Sequence, residues 1–488
     1  MRNCLSGFLR IALAGVVVGV FSPSRAQPPD LQRRLTPQES ASQVLNRLAF
    51  GPRPGQLTEV SDKGWQKWVA EQLQPQTIAD VDLEKRLATH CPSLSKNLDE
   101  VRAMESSETE RGRIKRELID AVILRAVYSQ RQFQEVIAEF WRNHFNVDVN
   151  KVPALAMHYE ENVLRKHAFG KFEDLLLATA KHPAMLVYLD NYVSKAGGLN
   201  ENYARELMEL HTLGVDNGYT QRDVIDLARV LTGWTCGARA RGRSARGQEF
   251  GFFFNEAAHD TNPATVVGLQ LDGFGGMADG EKAIRHLARL RGTAEFISTK
   301  LCRYLVSDAP TKALVGRIAD VFQKSGGDLR EVYKAIIFSL EFTHSRNYRS
   351  KFKTPFEFMV SVLRATDSDI TSTQRIVREM AIMGQPIYEC VEPTGYSDAA
   401  EAWLDPGVLV FRWNFAIQLV QDKVSGVKAG PAFLNPLLKT SPGNLTHKVR
   451  SMILPGISEP ATEKMMAQTS DPRVMVALVL GSPSFQQQ

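Results

Sequence analysis

Residues 202–235 read NYARELMELHTLGVDNGYTQRDVIDLARVLTGWT, and this stretch decides the fold class. In its second half Val224, Leu227, Ala228 and Leu231 recur at the three- and four-residue spacing of one helix face. In its first half Tyr203, Leu207 and Leu210 form another apolar stripe, and Gly214 is the kind of residue that ends a helix in the left-handed region.

The same pattern extends outward in both directions. Thr36-Pro37-Gln38-Glu39 and Thr354-Pro355-Phe356-Glu357 each join a threonine N-cap, a proline at the first helical position and a capping-box glutamate. Asp405-Pro406 and Asp471-Pro472 use the cap and the proline alone. Sustained two-residue alternation is almost absent, so the chain is predicted to be all-α, a large multi-helix body with at most a small β-hairpin insertion. The most strand-like piece, residues 248–254 (QEFGFFF), is expected to pair with residues 265–271 (TVVGLQL). Just before it, residues 237–247 (GARARGRSARG) form a basic loop, suited either to an anionic polymer such as lipopolysaccharide or simply to solvent.

The first residues, MRNCLSGFLRIALAGVVVGVFSPSRAQPPD, place Arg2 and Arg10 around the start, an apolar run over 11–21, and Ser24-Arg25-Ala26 after it. This predicts a secretory signal peptide over residues 1–26, cleaved after Ala26. As a membrane anchor the run is too short, about half of the ~20 residues needed to span a bilayer. No later stretch is long and apolar enough to span, so the mature chain is expected to be periplasmic or secreted, with no transmembrane span. No linker rich in proline, serine or glycine divides residues 27–488, which are read as one large helical domain, with a C-terminal helical subdomain from about residue 345 as the alternative division.

A net charge of +5 over 488 residues is too small to imply a nucleic-acid partner. Cys91, Cys236, Cys302 and Cys390 have neither C-x-x-C nor zinc-finger spacing, leaving two disulfides or four separate buried thiols open. The chain also lacks a Gly-x-Ser-x-Gly elbow, a His-Glu-x-x-His helix, a phosphate loop and a dinucleotide fingerprint.

Residues 46–55 (NRLAFGPRPG), 140–145 (FWRNHF) and 202–235, then His259-Asp260, 353–358 (KTPFEF), 384–386 (GQP) and 412–415 (RWNF), follow one another along the chain. In this order they resemble the domain of unknown function 1800 family. The resemblance covers nearly the whole mature chain. One departure is visible: the family pattern usually offers a glycine and then a lysine after His-Asp, where this chain has Asn262 and Ala264. The resemblance carries over no activity, cofactor or catalytic residue. It implies an exported bacterial protein and suggests one companion, an exported protein of the domain of unknown function 1501 family.

The candidate site residues are His144, Glu206, Glu209, His211, His259 and Asp260. At about 100° per residue, Asn202, Glu206 and Glu209 fall within about 60° of one another. Two carboxylates on a buried face need a proton, an arginine or a metal; on an exposed face they are ordinary, with Arg205, Arg222 and Arg229 within reach. A divalent metal held by Glu206, Glu209 and His211 requires the helix to unwind near Gly214, because on a continuous helix His211 projects about 140° or more away from both acids. His144 lies in the stripe of Phe133, Ile137, Phe140 and Trp141, so it should face the core and stay neutral, either as a core residue or as a base. His259-Asp260 lies in a loop, either as binding groups or as an Asx-type turn near Asn262-Pro263.

Two functions fit these readings. One is an envelope binding or assembly protein that acts with an exported partner and shows exposed apolar surface. The other is a metal-assisted or acid/base enzyme of hydrolase type whose pocket draws the candidate residues from several helices.

Overall fold

The computed structural model describes residues 33–105, 107–237 and 250–488. The signal-peptide reading and nearly all of the basic loop fall outside these residues. The described chain is built almost entirely of helices, with three two-stranded antiparallel sheets. Among the described residues, no helix is long and apolar enough to cross a membrane. The described residues divide into two compact units: one comprises residues 33–69, Leu340–Pro386 and Asp398–Gln488, the other the described part of Ala70–Ser339 together with Ile387–Ser397.

The helix starts form as their residues dictate. Thr36 and Thr354 each accept a hydrogen bond from the backbone N–H of the glutamate three residues on, and that glutamate takes the threonine N–H in return. Asp405 and Asp471 cap their helices ahead of proline. In the second unit, Thr220 and Asp223 make another capping box, which starts the Gln221–Val230 helix. Val224, Leu227 and Ala228 of that helix are buried, as is Leu231, which caps its end.

The strand pairing differs from the sequence expectation. β1 (Trp234–Gly237) pairs with β2 (Gly251–Phe254), and β3 (Ala264–Val266) pairs with β4 (Leu269–Leu271). Two local causes explain the change. Val267 and Gly268 both take positive φ, 46° and 82°, the two-residue turn that closes a tight hairpin, so residues 264–271 fold on themselves. Residues 251–254 are thereby left to find Trp234, whose ring meets Phe252 edge-on at 5.2 Å.

A β-branched residue at positive φ is disfavoured, and Val267 is held there by clamps on both sides of its backbone. Its N–H donates to Asp223 at 2.7 Å, and its carbonyl lies 3.0 Å from His286 Nε2. Val267→Asn keeps both clamps and tolerates the left-handed region better, so it is expected to stabilise the fold by roughly 0.5–1 kcal/mol in urea unfolding. Unchanged or lower stability would show that the valine side chain contributes packing that offsets its strain.

The second unit also buries charge in a regular way. The helix that begins at Pro153 passes through a π-turn at Glu160–Leu164 before Arg165–His167. At this widened turn Glu160 is taken by Arg142 of the Gln132–His144 helix at 2.7 and 3.1 Å, and Glu161 by Arg125 of the Glu108–Tyr128 helix. One turn on, Arg165 reaches back to Glu135 at 2.6 and 2.8 Å. Each arginine donates two hydrogen bonds to one carboxylate, which fixes orientation as well as charge balance.

Candidate functional site

His144 ends the Gln132–His144 helix with its ring in an aromatic shell. Phe140 stacks on it at 6.1 Å, and Trp141 and Phe145 meet it edge-on at 5.3 and 4.5 Å. Trp141 is itself held, donating to Tyr333 Oη at 2.8 Å while that hydroxyl donates to the carbonyl of Ala168.

His211 reaches the same shell by the unwinding that Gly214 permits. The Asn202–Glu209 helix closes with wide hydrogen bonds, His211 N–H to Glu206 O and Gly214 N–H to Met208 O. Gly214 has φ 92°, and a Cβ there would lie 2.8 Å from the Phe296 ring. Only glycine fits this bend. The His211 ring ends 6.0 Å from the His144 ring and 5.1 Å from Phe145.

The pair is buried and short of partners. His144 Nε2 sits 3.3 Å from the carbonyl of His211, whereas His144 Nδ1 and both ring nitrogens of His211 have no hydrogen-bond partner. Burial, and then the charge of Lys300, hold His211 down to about 3. The same two causes keep His144 well below the usual histidine range, so both rings are neutral.

The glutamates do not join them. Glu206 is half-buried, its pKa raised by burial and then by the neighbouring Glu209 charge. Glu209 pairs with Arg205 at 3.4 Å on the same helix. Among the described residues, no three His, Cys, Asp or Glu side chains are placed to hold one metal ion. Unwinding thus turns His211 toward His144 and not toward the acids.

His259 and Asp260 point to separate partners. His259 Nδ1 lies 2.9 Å from the Thr232 carbonyl, so it must carry the proton and donate it. Asp260 pairs with Arg229 at 3.2 Å and accepts the backbone N–H of Asn262, an Asx turn. Burial pushes the Asp260 carboxyl up, but Arg229 and Asn262 outweigh this and hold it at about 2. Of the other two arginines considered for the glutamates, Arg222 pairs with Asp226 at 3.1 Å and Arg229 also takes Asp226 at 2.9 Å. Cys91, Cys236, Cys302 and Cys390 are free thiols.

In the first unit the remaining motifs meet. Arg412 donates to the carbonyl of Lys353 at 2.9 Å, and the N–H of Phe356 donates to Gln385 Oε1 at 2.9 Å. Ser361 and Arg364, on the Pro355–Ala365 helix, donate to the carbonyls of Phe50 and Gly51. A small cavity of about 20 Å³, partly open to solvent, is lined by Asn46, Gly51, Pro52 and Lys353 among others.

A family model described as "Protein of unknown function (DUF1800)" matches residues 43–487. The chain belongs to this family. No curated protein and no solved structure matches it.

Two groups in this DUF1800 chain escaped the sequence reading. The first is His158 with His182. His182 Nδ1 accepts the N–H of Ala184 at 3.1 Å, so its Nε2 carries the proton and donates to His158 Nδ1 at 2.9 Å. His182-Pro183 is a legible helix start, but its partner lies 24 residues away. The second is the cation cluster around Lys353, which the sequence shows only as the first residue of the 353–358 motif.

Proposed function

We propose that this DUF1800 protein is an exported bacterial envelope protein that works by binding, docking an exported partner on an apolar rim of its second unit. The supporting observation is the segment after Leu189. Tyr192, Val193 and Leu199 are exposed at 40%, 52% and 38%, and Val391 at 67%. Tyr188 donates to the Val391 carbonyl at 2.7 Å, which ties that residue to the chain leading into the same segment.

The rim is held from beneath. Asn191, fully buried, donates to the carbonyls of Leu231 and Trp234, and Thr235 donates to the carbonyl of Tyr192 at 2.8 Å. Gly233 N–H donates to Ser194 O, and Ala196 N–H to Ala258 O. A backbone fixed this way cannot fold its apolar side chains inward, and apolar groups kept in water by design mark a contact surface. The partner suggested by the family resemblance is an exported protein of the domain of unknown function 1501 family. The six candidate side chains of the enzyme reading divide among three places, which gives acid/base or metal chemistry less to stand on.

A photo-crosslinking residue at Val193, used in the bacterium that makes the protein, tests this reading. The expected result is one recurrent adduct with a domain of unknown function 1501 family protein, lost in Tyr192→Asp/Leu199→Asp while the circular dichroism spectrum is unchanged. Scattered adducts, or the same adduct in the double variant, would overturn it.

A further inference from the structure

Three cations in the first unit form no ion pair, and two of them, Lys353 and Arg412, are buried. Lys353 is 2% exposed, and its Nζ donates to the Phe485 carbonyl at 2.9 Å while lying 4.2 Å over the Phe485 ring. Arg412 is fully buried, donates to Gln486 Oε1 and the Lys353 carbonyl, and leaves Nε without a partner. Arg349 donates to the carbonyls of Ser484 and Gln487. All these acceptors are neutral.

The nearby acids form no ion pair with them, although the Glu459 charge acts on Arg349. Glu357 takes the N–H of Thr354 with one oxygen and Gln488 Nε2 with the other, both at 2.8 Å. Glu459 accepts the N–H of Ser484 at 3.3 Å, and its second oxygen has no partner. A buried cation normally has a carboxylate against it, and the desolvation of one that does not is uncompensated. Burial accordingly pulls Lys353 well below the lysine range and Arg412 down to about 9.

Lys353 and Arg349 both line the small cavity, with Ser42, Asn46 and Ser361. The Lys353 ammonium has three N–H groups and only one is bonded to protein. Ser42 lines the cavity and its Oγ accepts from Asn46 and Tyr348, which leaves its O–H available to donate.

We propose that this cavity is an anion site, in which one oxyanion group, a carboxylate or a phosphate, seats on Lys353, Arg349 and the Ser42 hydroxyl. About 20 Å³ is the room of roughly one water molecule, so only the charged tip of a ligand enters and the rest lies outside. An anion there sets opposite charge against Lys353 and Arg349, the two cations that line the cavity, and its hydrogen bonds are charge-assisted. The site needs nothing from the apolar rim of the second unit, so either proposal can fail without the other.

The test is thermal unfolding of the purified full chain at constant ionic strength, exchanging sodium chloride for sodium phosphate or sodium acetate. The expected result is a saturable rise in Tm of several degrees that Lys353→Met abolishes and that needs about tenfold more anion in Arg349→Gln. If Lys353→Met does not fold, Arg349→Gln carries the test. Co-sedimentation with phosphatidylglycerol vesicles, lost in the same variants, assigns the oxyanion to a lipid headgroup; a response to soluble anion without vesicle binding assigns it to a free one. A Tm that is indifferent to the anion, or that shifts equally in both variants, overturns the proposal.

Discussion

Glu160→Gln is expected to destabilise the protein by about 3–5 kcal/mol, a large part of the 5–15 kcal/mol typical of a folded domain. Glu160 has no exposed surface, and Arg142 against it is nearly as buried. Burial alone would raise the Glu160 carboxyl, but the Arg142 charge, its hydrogen bonds, Arg165 and the Tyr388 hydroxyl outweigh burial and hold it below its usual range. Glutamine keeps the shape and one acceptor but leaves the Arg142 guanidinium as an uncompensated charge. The sign with pH follows from the lowered pKa: the pair's contribution is present above the unfolded carboxylate range and is lost as pH falls through the folded value. Urea unfolding at pH 7 measures the effect. Arg142→Met/Glu160→Leu/Tyr388→Phe, which removes every polar member at once, should recover most of the loss. A Glu160→Gln loss below about 1 kcal/mol would mean that water reaches Arg142 and solvates it.

The features that were legible in sequence are those settled within one or two helical turns. Thr36, Thr354, Asp405 and Asp471 cap helices because the hydrogen bonds involved close within three residues. The apolar stripe of its own helix places His144 in the core, and Gly214 marks the point where the Asn202–Glu209 helix opens. What stayed hidden depends on distant chain. β2 pairs with the Trp234 strand rather than with residues 265–271 because the Val267-Gly268 turn pairs that segment with itself. Arg142 and Glu160 meet only because a π-turn adds room in a helix whose sequence gives no sign of it. Lys353 was visible as a motif residue, but its isolation as a buried cation depends on Phe485, Gln486 and Gln488 folding beside it, more than a hundred residues along the chain.

Between pH 6.5 and 4.5 the protein is expected to lose stability at up to about 4 kcal/mol per pH unit, enough to unfold it within two or three units. The cause is three buried histidines. Burial holds His144, His182 and His211 below the ordinary value of 6.5, with Lys300 acting further on His144 and His211, and His158 on His182. In the folded protein these rings stay neutral, while in the unfolded chain each binds a proton as pH falls below 6.5. The unfolded state therefore gains protons that the folded state refuses, at about 1.4 kcal/mol per unit for each ring, until pH reaches the folded value, which for His211 is about 3. Stability is thus fully present above 6.5 and falls as the solution is acidified. Urea titrations at pH 7.5, 6.5, 5.5 and 4.5 give the slope directly. His211→Met should lower that slope by the equivalent of one proton and leave stability at pH 7.5 unchanged or higher, because the imidazole it replaces has no hydrogen-bond partner on either nitrogen. Stability that is flat down to pH 4.5 would mean that a partner for these rings, such as buried water, lets them take the proton while folded.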